Sequence, residues 1–372
     1  MGIPALIAPG QRLLCGPGPS NIEPGVQAVM QQPVLGHMDP DLFPILDEIT
    51  SMLAEAWGQT DGLTLALQAT GTAGMEAGIE SLTEPGDTAV VAVAGYFGAR
   101  IVDICNRHGA NVVEVTAPFG QPVSQSAIAD AIEASGGAQI VAVVLAETST
   151  GVRQPIDELG EIAHHHGALL LVDCVTALGG IPVDFTRHGI DYAFSCSQKC
   201  LGAPPGLAPA ALSTRALERI DGRRAPAGFT FDFRLLEQYW HARPPTYHHT
   251  APVLHLYAFH EALRQLHAEG PEQRYTRHAD VGTHFQEGLR RRGFALLAEA
   301  AHQLPQLTAV CVPDGVDGKD VQVGLLRKHG IEVGGGLGPT FPAMWRVGLM
   351  GTNATRETAD RVLSAFAAEL DA

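Results

Sequence analysis

The chain has 372 residues, 45% of them hydrophobic and only 17% charged, and a formal net charge of −16. That length supports a large core and two domains, and the sparse charge suits an α/β protein with much buried sheet. The acidic balance counts against nucleic acid or an anionic membrane as partner.

In chain order, Gly16-Pro17-Gly18-Pro19-Ser20 comes first. Its glycines let backbone amides approach a ligand and its prolines stiffen the segment; read alone, it is an extended arm. Leu42, Ile45, Leu46, Ile49 and Leu53 recur at helical spacing and predict a helix over 39–57. Residues 63–67 read as a short strand, and 69–76 as a turn entering a helix. Thr70, Gly71 and Thr72 there suit an anion site, where free amides and the helix dipole point the same way. They also suit an ordinary N-cap. Neither the Walker pattern nor Gly-x-Gly-x-x-Gly is present.

Strands over 89–93, 111–115, 140–145 and 169–172 then alternate with helices over 99–108, 124–134 and 155–166. That rhythm implies right-handed crossovers on a mostly parallel sheet, with ligands at the carboxyl ends of the strands. His164, His165 and His166 end a helix, where histidine suits the negative dipole end, so no metal site is expected. The stretch 191–199 opens as an apolar strand over 192–195 and ends at Lys199. Gly202, Pro204, Pro205 and Gly206 follow and stop any helix. A lone loop lysine is ordinarily solvated. Here, Asp173, Thr148, Ser149, Thr70 and Thr72 also sit at carboxyl ends of strands in the same frame. A phosphate cup, an acid, hydroxyls and a lysine at one edge suit pyridoxal 5'-phosphate. Lys199 would hold its aldehyde as a Schiff base, and Asp173 would keep its pyridine nitrogen protonated.

After about residue 250 the pattern changes to helices over 254–269 and 272–292. Strands over 308–312, 331–333 and 345–349 follow, with a helix over 320–329. This reads as a smaller α+β domain, with the N-terminal arm packed near it. The expected division is an arm over 1–20, a large cofactor domain over 21–255 and a small domain over 256–372. No apolar run approaches the roughly 20 residues that span a bilayer. Residues 1–12 lack a secretion signal, so a cytoplasmic location is expected. The six cysteines form no Cys-x-x-Cys pair, and neither zinc nor a disulfide framework is expected.

Several segments occur in one order along most of the chain. Besides the Gly-Pro loop they are Glu147-Thr148-Ser149-Thr150-Gly151-Val152, Leu170-Leu171-Val172-Asp173, Ser197-Gln198-Lys199 and Ala203-Pro204-Pro205-Gly206. Tyr247-His248-His249-Thr250, Gly335-Gly336-Leu337-Gly338 and Arg346-Val347-Gly348-Leu349-Met350-Gly351 follow. In these segments the chain resembles the class V aminotransferases of fold type I, within them the alanine–glyoxylate and serine–pyruvate group. The resemblance implies amino transfer from alanine or serine to glyoxylate or pyruvate by a ping-pong mechanism. It implies that Lys199 carries the cofactor, Asp173 pairs its ring nitrogen, and Thr70, Gly71, Thr72 and Gln198 hold its phosphate. Ser149 would lie near the phenolic oxygen and Val175 beneath the ring. Phe97 would stack on the ring where mammalian members have tryptophan. Arg346 would bind the substrate carboxylate, with Gly18 and Ser149 beside it. Tyr247 and Thr250 would serve the phosphate of a partner subunit, so a homodimer with shared active sites is implied.

Three rivals remain. (S)-ureidoglycine–glyoxylate aminotransferases share nearly every motif, although His37 looks more like the alanine and serine enzymes. Cysteine desulfurases resemble the chain but usually place histidine before the lysine, where Gln198 stands, and need a cysteine on a mobile loop, whereas Cys311 falls in a predicted strand. A non-catalytic sensor of a phosphorylated ligand would be colourless and would lack the lysine linkage.

Overall fold

The computed structural model describes residues 10–338 and 340–370, so positions 1–9 of the expected arm lie outside the described residues. The apolar runs assemble a seven-stranded sheet in the order Leu63–Leu67, Ala208–Leu212, Tyr192–Phe194, Leu169–Asp173, Ile140–Val144, Thr88–Val93, Asn111–Thr116. Neighbours pair parallel except at Ala208–Leu212, which is antiparallel to both strands beside it. Leu63–Leu67, Ile140–Val144 and Leu169–Asp173 are buried along their whole length, which explains their unbroken apolar runs. Every strand but Ala208–Leu212 therefore directs its carboxyl end to one edge. The expected α/β architecture with a mostly parallel sheet is present.

Local chemistry sets where the helices begin. Thr70, Ser124 and Ser213 each accept a hydrogen bond from a backbone N–H in the first turn, as N-caps do. The helix expected over 155–166 starts later, at Leu159, because 155–158 form the turn that feeds it. Ala208–Leu212 was not legible as a strand, since its alanines and Pro209 have little β preference. Tertiary pairing places it: the Pro209 carbonyl accepts from Ser195 N at 2.8 Å, just past the end of Tyr192–Phe194. A proline costs least at the end of a ladder.

A second core joins the helices Pro271–Arg291, Gly318–His329 and Arg356–Leu370 to the sheet of Leu307–Cys311, Met344–Gly348 and Gly334–Gly335. Phe294, Trp345 and Phe366 pack together in it. The described part of the N-terminal arm joins this core. Leu13–Leu14 pairs parallel with Ile331–Glu332, Cys15 is fully buried, and Gly348 N donates to the Cys15 carbonyl at 2.9 Å. By contrast, the apolar face of Val253–Glu269, read from sequence with the C-terminal unit, packs into the first core. No helix among the described residues is long and apolar enough to cross a membrane.

One packing contact yields a test. Gly78, inside Gly71–Leu82, faces the ring of buried Tyr192, whose hydroxyl donates to Gly74 O at 2.7 Å. Alanine favours a helix over glycine by about 1 kcal/mol, but a Cβ here runs into that ring. Overpacking costs about 1–3 kcal/mol, so Gly78→Ala should lower the unfolding temperature. A rise would show that the ring yields and that propensity wins.

Candidate active site

The turn after Tyr192–Phe194 carries Lys199 to the carboxyl edge of the sheet. Its side chain runs under the N-terminal arm, and Nζ donates to the Pro17 carbonyl. The arm is fastened there: Ser20 N donates to Gln198 O at 2.9 Å, and Ser20 Oγ to Lys199 O at 2.8 Å. Gly18 has a positive φ of 112°, and a Cβ on it would strike the Lys199 side chain, so close approach as well as backbone geometry requires glycine. Burial lowers the Lys199 pKa below that of an ordinary lysine.

A cavity of about 190 Å³ opens beside Lys199. Thr70, Gly71, Thr72, Phe97, Asp173, Val175, Gln198 and Lys199 all line it. Asp173 ends its strand 3% exposed, and Val175 N donates to its Oδ1 at 2.8 Å. No cationic nitrogen lies within 4.0 Å of it among the described residues. Burial pushes its carboxyl up to about 7, with Val175 N–H opposing and Glu147 adding to the rise. Thr70, Gly71 and Thr72 sit at the N-terminus of a 12-residue helix. Arg100, which sequence reasoning missed, donates to Thr72 Oγ1 at 3.0 Å and lies over the Phe97 ring at 4.9 Å. Its signal was its position one turn on from Tyr96 and Phe97 in the same helix.

These residues fit pyridoxal phosphate. Gln198 Oε1 is buried with no partner; rotating the amide would present its NH2 to an anion at the helix N-terminus. The buried Asp173 carboxylate lacks a cation, which a protonated ring nitrogen would provide. Thr70–Thr72 with Arg100 would hold the phosphate, Lys199 the aldehyde, and Val175 and Phe97 the ring. Bound, the cofactor supplies an aldehyde that condenses with amines and a protonated ring that draws electron density from the substrate Cα.

Ser149 lies behind this lining. Its hydroxyl donates to Glu147 Oε1 at 2.6 Å and accepts from Tyr96 N at 2.8 Å, while its neighbour Thr148 lines the cavity. Glu147, a further residue that sequence reasoning did not single out, is fully buried and also accepts from Phe97 N, Gly98 N and Ser149 N. It fixes the start of the helix that presents Phe97 and Arg100. Arg346 lies outside the cavity lining, in Met344–Gly348. Its Nε donates to Gly335 O at 2.6 Å, and no carboxylate comes within 4.0 Å of it among the described residues. Tyr247, 58% exposed, and exposed Thr250 do not reach their own chain's cavity. His248 pairs with His249 at 2.7 Å and with Phe229 O at 3.0 Å. His164 is tied to Asp191 at 2.8 Å, and Cys311 ends the strand Leu307–Cys311.

The sequence model of the family "Aminotransferase class-V" matches residues 49–357. An alanine–glyoxylate aminotransferase from Drosophila melanogaster is 38% identical over 95% of this chain and 91% of its own. The crystal structure of an alanine–glyoxylate aminotransferase from Nostoc sp. superposes with a TM-score of 0.96 at 45% identity, covering 100% of this chain and 98% of that one. A ureidoglycine–glyoxylate aminotransferase from Bacillus subtilis superposes with a TM-score of 0.95 at 34% identity, over 99% and 94% of the two chains.

The buried carboxyl of Asp173 makes a prediction for the cofactor-free protein. An unfolded aspartate titrates near ~3.9. Since the folded value is raised to about 7, the stabilisation from protonated Asp173 is complete below the unfolded value and lost as pH rises through the folded one. Cofactor-free Asp173→Asn should therefore unfold at a higher temperature than the wild type at pH ~8, and the gap should narrow toward pH ~5. Equal unfolding temperatures at the higher pH would mean that the carboxylate finds compensation while ionised.

Proposed function

The chain belongs to the class-V aminotransferases, and from that membership we propose that it moves an amino group from alanine or serine to glyoxylate, with pyruvate as a second acceptor. It is a pyridoxal-phosphate-dependent transaminase of fold type I. The observation that carries the substrate reading is Arg346, a buried guanidinium with its Nε tied to a carbonyl and no carboxylate on its outer nitrogens. One such fork suits one carboxylate. Arg100 is turned to Thr72 on the anion side of the cavity, which leaves no second arginine among the described residues lining it for the distal carboxylate of a dicarboxylic oxo acid. Burying that charge unpaired costs several kcal/mol. With the cofactor bound, the amine of Lys199 would take the proton from the substrate Cα as general base and hand it as general acid to the carbon that was the cofactor's aldehyde.

A ureidoglycine donor is the second reading, favoured by the Bacillus subtilis relative. The two units divide best at Gly270, between the helix packed in the first core and the helix that opens the second. Exposed Tyr247 and Thr250 serve the phosphate of a second copy in a homodimer, and the enzyme works in the cytoplasm.

The test is single-turnover reaction of the protein reconstituted with pyridoxamine phosphate. Glyoxylate should give the highest kcat/KM. Pyruvate should fall behind by the about 10–200-fold that one carbon group can discriminate, and 2-oxoglutarate further still. If 2-oxoglutarate matches glyoxylate, the substrate assignment fails. The dimer is checked by mixing inactive Lys199→Ala protein with an inactive Tyr247→Phe/Thr250→Ala double variant. Subunit exchange should restore activity, and exchange without recovery would place both residues in cis or outside the site.

A further inference from the structure

Behind the active site, a partly buried cluster of charges spans the junction of Val253–Glu269 and Pro271–Arg291. Arg274, 7% exposed, donates from Nη2 to the Cys200 carbonyl at 2.6 Å and from Nε to the Gly179 carbonyl at 3.1 Å. Cys200 directly follows Lys199, and Gly179 lies in the loop that leaves Asp173. Arg277 donates from Nη1 to the carbonyls of Gly351 and Ala354, both at 2.9 Å, in the loop that leaves the Arg346 strand. Glu269 joins the two guanidiniums, accepting from Arg274 Nη1 at 2.8 Å and from Arg277 Nε at 2.5 Å.

His278 closes the cluster. Gly351 N donates to its Nε2 at 3.1 Å, so the proton is on Nδ1, which donates to Arg274 O at 2.8 Å. Burial pushes its pKa down to about 3 and keeps it neutral for this role. The loops meet directly: a Cβ on Gly351 would lie 3.3 Å from Cys200 O and 3.7 Å from Lys199 O.

We propose that Glu269, Arg274 and Arg277 form a clasp that sets the separation between Lys199 and Arg346, with Arg274 positioning the lysine turn and Arg277 the arginine strand. The inference rests on the reading of Lys199 as cofactor lysine and Arg346 as carboxylate ligand. Chemistry at the substrate Cα needs the amine and the carboxylate fork in register. A misplacement of about 1 Å can cost about a hundredfold in rate. Only a guanidinium reaches acceptors on several elements with one rigid plane.

The experiment compares Arg274→Lys, Arg277→Lys and Glu269→Gln, reconstituted with pyridoxal phosphate, with Lys199→Ala and Arg346→Lys as references. Arg277→Lys should raise KM for alanine and glyoxylate about tenfold or more, with a smaller change in kcat. The pH midpoint of the visible absorbance of the lysine-bound cofactor should stay in place. Arg274→Lys should move that midpoint and lower kcat about ten- to hundredfold, with a smaller change in KM. Glu269→Gln, nearly isosteric, should move both readouts, and carries the test if either arginine variant fails to fold. A cluster that only stabilises the fold would lower the unfolding temperature and leave KM, kcat and the midpoint unmoved well below it; that result overturns the proposal. Identical or exchanged effects of the two arginine variants overturn it too. If Arg346→Lys itself leaves KM unchanged, the carboxylate reading fails instead, and the absorbance midpoint of Arg274→Lys still decides for or against the clasp.

Discussion

An amine that is to work at neutral pH, the role proposed for Lys199, must be kept from behaving as an ordinary lysine, and burial of Lys199 meets that demand. A buried ammonium is costly without a partner, yet a carboxylate partner would restore its charge and its high pKa. The structure gives it a backbone carbonyl instead, from Pro17. This requires the arm to run across the site, which explains its rigid Gly-Pro sequence, the positive φ of Gly18 and the hydrogen bonds from Ser20. The arm is held farther out by its pairing with Ile331–Glu332. The second core thus supports the chemistry on the first.

The alternating apolar runs and helix periods made the sheet and its carboxyl edge legible, because a fully buried parallel strand writes its environment into every residue. Lys199 and Asp173 were legible because each follows such a strand. Ala208–Leu212 was not, since its pairing comes from neighbours more than a dozen residues away in sequence. The helix Arg356–Leu370 left a readable period in Ala359, Val362, Leu363 and Phe366, but nothing near the motifs drew attention to it. Arg100 and Glu147 were missed for a different reason. Arg100 stands in no matched segment, and the segment that Glu147 opens names no role for it; Glu147 acquires one where the loop after Ile140–Val144 meets the start of the helix Tyr96–Arg107, and Arg100 where that helix meets Thr72.

Tyr247 and Thr250 mark another limit. Among the described residues, exposed Tyr247 meets the His37 ring at 5.3 Å and does not reach the cavity. On the proposed dimer their service would fall to a neighbouring copy and leave no packing trace in their own chain, so only a motif could point to them.

The charged groups of this chain divide by the kind of partner they have. Asp191, 1% exposed, is saturated by His164, Leu170 N and Ser213. Glu269 is enclosed by two guanidiniums. Such groups have no capacity left, and their neighbours neutralise them. At the sheet edge the arrangement is different: Lys199 meets one carbonyl, Arg346 one carbonyl, and Asp173 one amide. Backbone dipoles orient a charge without cancelling it, so the remaining charge is available to whatever enters the site. The folded chain bears that cost when empty, and on the proposed roles of Asp173 and Arg346 a cofactor's ring nitrogen and a substrate's carboxylate would relieve it. The same incomplete pairing that makes the empty site expensive therefore makes it selective, since a ligand lacking either group leaves a buried charge unanswered.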